Sequence, residues 1–281
     1  MIWRRGLVAT GRAPLFAALF VLAAINGVYF TLVESVRTLG WGGAFVNFFS
    51  VSAIVWIALV AIWQLARDAP SSALTRRDIV VFTTGLALCF LPSGWEARLA
   101  LLLTSIYLWW ASNPRTPERR IAIIAASLTV PLVWGRLALH FLAPELLGFD
   151  AMMAGLIIGH EVQGNTVAFA PGALADAGKR MVIFTGCSSF TNLSLTAVVT
   201  ALVTQMFDLP GRWRLLVFVV ALAASTLVIN LVRLAAIASF PDHFDWLHVG
   251  TGATLFGYAG LIAMGGIAVV AAHNDWLRGN A

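Results

Sequence analysis

Three residues of this 281-residue chain are of types that together do covalent chemistry: Cys187, Arg233 and His248. A thiol is a strong nucleophile only as thiolate, and a neighbouring imidazole supplies the base or the stabilising cation. Attack on an amide carbonyl builds an oxyanion, and a guanidinium in a low-dielectric setting is a strong donor to it. The imidazole then protonates the leaving amine. The reaction these groups suit is acyl transfer through a thioester. Each residue also has a plainer reading. A cysteine in an apolar run serves as a small hydrophobe, an arginine near a helix end snorkels to the headgroups, and a histidine at an interface meets water. The case for a site rests on whether the three converge.

The elements that must position them are membrane helices. The chain is 60% hydrophobic and 11% charged, with a mean hydropathy of +0.87; a soluble domain carries about 25% charged residues. A soluble monomer could not cover its surface with so few charges, so a water-soluble enzyme is excluded. The fold class expected is an all-α polytopic membrane protein, one integral membrane domain over 1–281 with about eight transmembrane helices. The apolar runs are 14–34, 45–66, 78–92, 96–112, 120–143, 181–207, 213–239 and 248–272, the third and fourth meeting at Pro92-Ser93-Gly94. The first follows Arg4, Arg5 and Arg12 but is too long for a signal core, and reads as a retained helix. Twelve of the 18 basic residues fall on one side if both termini are cytoplasmic, in tight clusters such as Arg76-Arg77 and Arg115 to Arg120. The positive-inside rule then places N- and C-termini in the cytoplasm. The net charge of +5 lies in short loops and is no nucleic-acid footprint.

That topology brings the three residues to one depth. Cys187 is about six residues into the sixth span, ~9 Å below its outer end at ~1.5 Å per residue. Arg233 is about 20 residues along the seventh, ~30 Å from the inner side, and His248 opens the eighth. The one long break in the pattern, 144–180, faces outward. Pro144 to Ile158 reads as a re-entrant or interfacial helix. His160 to Gly172 is polar and turn-rich around Thr166-Val167-Ala168-Phe169, a pattern that suits a small β-hairpin before the sixth span. This segment leads into the cysteine helix, so 160–172 is expected to cover the site and read the substrate, with an extended peptide pairing to a strand edge there.

Other candidates are weaker. His160-Glu161 lacks the second histidine of a zinc motif. Asp242, His243, Asp245 and His248 cluster in sequence, but suit a polar loop better than a metal site, and no metal or cofactor is expected. Cys89 reads as a core hydrophobe, with a disulfide to Cys187 left open. Ser188, Ser189, Thr191, Asn192 and Ser194 make the start of the sixth span polar, in the manner of interhelical hydrogen-bond glue.

The order Cys, then N-x-x-R, then H-x-x-x-G on the last three spans resembles the exosortase/archaeosortase family of membrane transpeptidases. Gly186-Cys187-Ser188-Ser189 resembles that family's cysteine motif, Asn230 to Leu234 its N-x-x-R-[IL] motif, and His248 with Gly252 its histidine motif. The stretch from Val162 to Asn165 and on to Pro171-Gly172 is similar to the one preceding the family's cysteine. The resemblance covers about 160–260. It departs where Ser189 and Phe190 replace the family's Gly and Leu, which bears on how closely a substrate backbone approaches the thiol. The resemblance implies Cys187, Arg233 and His248 as catalytic residues, with Ser188, Ser189, Asn230, Asn165 and Gly252 supporting or binding substrate. It also implies cleavage of secreted proteins that end in a recognition motif, a transmembrane helix and a basic tail. The new carboxyl end would pass to a surface acceptor, at the outer face of the cell inner membrane. A second reading, from another class, is a small-solute or anion transporter with Arg233 in its binding site. Against it, the sequence has no inverted repeat and no matched pair of broken helices.

Overall fold

The computed structural model describes residues 11–171, 173–176, 178–207 and 212–279. Arg4, Arg5, Gly172 and the side chain of Arg278 lie outside the described residues. Helices dominate: α1 (Arg12–Gly27), α2 (Tyr29–Val46), α3 (Ala53–Arg67), α4 (Arg76–Cys89), α5 (Trp95–Trp110), α6 (Pro117–Thr129), α7 (Gly135–Phe141) and α8 (Ala143–Ile158). There follow strands β1 (Val162–Gln163) and β2 (Thr166–Ala168), the one-turn α9 (Ala173–Asp176) and strand β3 (Arg180–Val182). The chain closes with α10 (Ser189–Met206), α11 (Arg212–Ser239), the short α12 (Phe244–His248) and α13 (Thr251–Gly279).

Among the described residues, three helices are long and apolar enough to cross a membrane: Pro117–Phe141, Arg212–Ser239 and Thr251–His273. The pair α1 and α2 makes a fourth if its 52° bend lies within one span. Pro117–Phe141 runs continuously from α6 to α7 through a single π turn at Val130–Trp134. Pro131 lies in that turn, and a proline there removes an N–H and crowds the preceding carbonyls, which the wider turn accommodates. The helices α3, α4 and α5 have 15, 14 and 16 residues, fewer than the ~20 a bilayer core needs.

Two compact units emerge, Met1–Val133 with Thr204–Met206, and Trp134–Val203 with Phe207–Ala281. No shift in composition marks the boundary. In the first unit Phe16, Phe20, Leu101, Ile121, Ile124 and Leu128 are fully buried. The expected first span, 14–34, breaks there after Gly27. The buried Arg98 donates Nε and Nη2 to the Gly27 carbonyl at 2.9 and 2.7 Å, satisfying an acceptor that the break exposes. Arg98 is therefore an internal tie rather than a surface charge.

The second unit is built around α8, α11 and a small sheet of order β1-β2-β3, antiparallel throughout. Leu147, Ala151 and Ala154 of α8, Val167, Met181 and Ile183 of the sheet region, Leu234 and Ile237 of α11, and Leu247 of α12 share one apolar core. α8 lies close on the sheet because Gly155 faces Val162, whose Cγ2 would stand 2.2 Å from a Cβ at that position. From Met181 to Phe184 burial alternates: Met181 and Ile183 point inward, Val182 and Phe184 outward. That is the period of two expected of a strand lying on a core.

Candidate functional site

The expected sixth span does not begin at 181. Met181 and its neighbours pair with β2, Thr185–Cys187 form a 3-10 turn, and helix α10 starts at Ser189. Ser188 sets that start, its Oγ accepting from Phe190 N at 3.2 Å as an N-cap. Cys187 therefore sits on the loop before the helix rather than one and a half turns inside it. His248 likewise does not open the last helix. It ends α12, and α13 begins three residues later.

The two loops meet. Cys187 Sγ lies 3.2 Å from His248 Nε2, within hydrogen-bond reach for sulfur. The Phe244 ring stacks on the His248 ring at 5.0 Å between centroids and 29° between planes, fixing the imidazole's tilt. Helix α11 holds both loops from one face, since residues three apart on a helix are neighbours. Asn230 Nδ2 donates to the Cys187 carbonyl at 2.9 Å and to Ser189 Oγ at 3.0 Å. Arg233 donates Nε to the Leu247 carbonyl at 3.3 Å and Nη2 to the His248 carbonyl at 2.8 Å. The N-x-x-R spacing thus works as a two-handed clamp, one residue on the cysteine loop and one on the histidine turn. The sequence reading gave the guanidinium to an oxyanion; here two of its nitrogens are engaged with protein carbonyls.

Sequence reasoning missed Asp150. It lies mid-way along α8, fully buried, and its Oδ2 accepts from Ser188 Oγ at 2.8 Å and from the Ser189 amide at 3.0 Å. A carboxylate from another helix thereby caps the first turn of α10, where its charge suits the helix dipole. Its Oδ1 is buried and has no partner among the described residues. The available signal was an acid in the middle of an apolar run, a costly placement that marks a paired or functional group.

A cavity of about 440 Å³ opens beside the pair, lined by Cys187, His248, Phe244, Leu234, Ile237 and Phe169 and by the run Lys179 to Phe184. Among the described residues of the expected recognition segment 160–172, only Phe169 lines it. The wall belongs to β3 and its flanks, of which 181–184 form the start of the expected sixth span.

Comparison of the chain with protein-family models, curated proteins and solved structures finds no match to any of them.

The remaining expected residues act at one remove. Asn165 pins the cavity wall: its carbonyl accepts from Ile183 N at 2.9 Å, and its Nδ2 donates to the Ile183 carbonyl at 3.0 Å. The close neighbour of Gly252 is Trp246. A Cβ there would stand 2.6 Å from the Trp246 ring, so its smallness lets α13 start against α12. Cys89 is buried in the first unit, and both cysteines are free thiols, which closes the disulfide alternative. Asp242, His243 and Asp245 do not gather with His248, and among the described residues no three such side chains form a metal-binding group.

Proposed function

We propose that this chain is a membrane cysteine transpeptidase or protease. It cuts C-terminal sorting tails from secreted proteins at the outer face of the inner membrane and passes the new carboxyl end to a surface acceptor. The observation that carries the reading is the 3.2 Å approach of Cys187 Sγ to His248 Nε2 at the wall of a cavity. Nucleophile and base within hydrogen-bond reach is the geometry of activated-thiol catalysis. The proposed topology has about eight transmembrane segments with both termini cytoplasmic, the shorter helices included, and the lipid bilayer as the route by which the tail arrives.

The chemistry follows from the placement. Cys187 gives its thiol proton to His248 Nε2, its Sγ adds to the scissile carbonyl carbon, and the carbonyl oxygen takes the negative charge. Among the described residues the Nη1 of Arg233 has no hydrogen bond, so it is the arm left to donate to that oxygen. Collapse breaks the C–N bond, His248 gives its proton to the departing amine, and a thioester remains on Cys187. The acceptor, an amine, hydroxyl or water, then attacks the thioester. Its proton goes to His248, and the thiolate leaves. No step calls for a cofactor.

The test is a Cys187→Ala variant produced beside a tailed substrate. Processing should be abolished while the variant still accumulates in the membrane. Undiminished cleavage would end the proposal.

A further inference from the structure

We infer that the free edge of β3 is the docking strand for the substrate, which binds as an extended polypeptide laid along Val182 toward Cys187. The inference rests on the transpeptidase reading and adds how the peptide is held. In the sheet order β1-β2-β3, strand β3 pairs on one side only. Ile183 N donates to the Asn165 carbonyl, and Val182 stands opposite Thr166 in the register. In an antiparallel ladder the pairing groups alternate, so if Ile183 bonds inward the N–H and C=O of Val182 point away from β2. Among the described residues nothing pairs with them. Val182 and Phe184 are also the exposed side chains of this stretch, at 42% and 62%.

An open edge with apolar side chains is ordinarily a hazard, which proteins blunt with charge, proline or a covering element. Here it is left open over the stretch that walls the cavity with Cys187 and His248, three residues after Phe184. Main-chain pairing is the recognition this edge offers. It takes any extended segment, leaving choice to the side chains that enter the apolar cavity at every second position. The occupant is therefore a polypeptide in extended form. A lipid has no alternating donors and acceptors with which to pair to such an edge.

The test uses the purified full chain in detergent carrying Cys89→Ala, so that Cys187 is the single thiol. Two probes alkylate it: acetyl-Val-Ala-Val-Ala chloromethyl ketone, which is extended and able to pair, and iodoacetamide, which is not. Val182→Pro removes the outward N–H without touching the ladder to β2. It should slow the peptide reagent about tenfold, the worth of one or two backbone hydrogen bonds, and leave the iodoacetamide rate unchanged. In the protein with Val182 intact, N-methylation of the probe's amides one at a time should slow the reaction at alternate positions only. Equal peptide rates with and without Val182→Pro, or no period of two in the N-methyl series, would overturn the inference while leaving Cys187 as a nucleophile. If Cys187 reacts with neither reagent, the catalytic reading fails and the docking strand fails with it.

Discussion

At the scale of single residues, the site is held by polar side chains placed where apolar ones are expected. Arg233 spans two successive carbonyls, Leu247 and His248, with a planar fork that a lysine cannot reproduce. Arg233→Lys should lower kcat by about a hundredfold, because an imidazole displaced by about 1 Å loses its aim on the thiol. Iodoacetamide labelling of Cys187 should persist, and turnover of a tailed substrate beside labelling reads the two apart. Asp150→Ala would leave the Ser188 hydroxyl hydrogen and the Ser189 N–H without an acceptor in the interior. Stranding buried donors of this kind costs about 1–3 kcal/mol. Thermal unfolding in detergent should show a lowered midpoint, and an unchanged midpoint would remove Asp150 from the framework.

At the scale of elements, the cysteine and the histidine both ride on ends: the turn before α10 and the last residue of α12. Ends can be aimed by capping, which the interior of a helix cannot. The α12–α13 join depends on the close approach of Gly252 to Trp246. Gly252→Ala should push Trp246 aside and lower both stability and turnover, with a cost of about 1–3 kcal/mol for the overpacking. Trp246→Ala in the same chain should recover part of the loss, as expected for directly contacting residues. Additive losses in the double variant would show that the contact does not set the turn carrying His248.

At the scale of the whole molecule, the prediction concerns sidedness. The proposed topology, with both termini cytoplasmic, puts Cys187 at the outer face. In intact spheroplasts bearing the Cys89→Ala variant, a membrane-impermeant maleimide should label Cys187 without permeabilisation. Labelling that requires permeabilisation would reverse the proposed topology, leaving the local geometry of Cys187 and His248 as it is.

Hydropathy and residue types alone pointed to a helical chain with apolar runs long enough to cross a membrane and singled out Cys187, Arg233 and His248, while Asn230 came from the resemblance of its N-x-x-R motif. The first two are composition-level facts: burial cost singles out polar groups in apolar runs whatever the packing. Tertiary structure alone decided that the start of the expected sixth span is a strand, because residues 181–184 are apolar enough for either element and only pairing with β2 selects one. It also decided the part played by Arg233, since a guanidinium's partners were carbonyls at 247 and 248, and no side-chain pattern reports a carbonyl's position. Asp150 became a cap for α10 for the same reason: the donors it serves lie 38 and 39 residues away. Spacing along one helix predicts which residues share a face, whereas contact between distant loops is set by how the core of α8, α11 and the sheet packs.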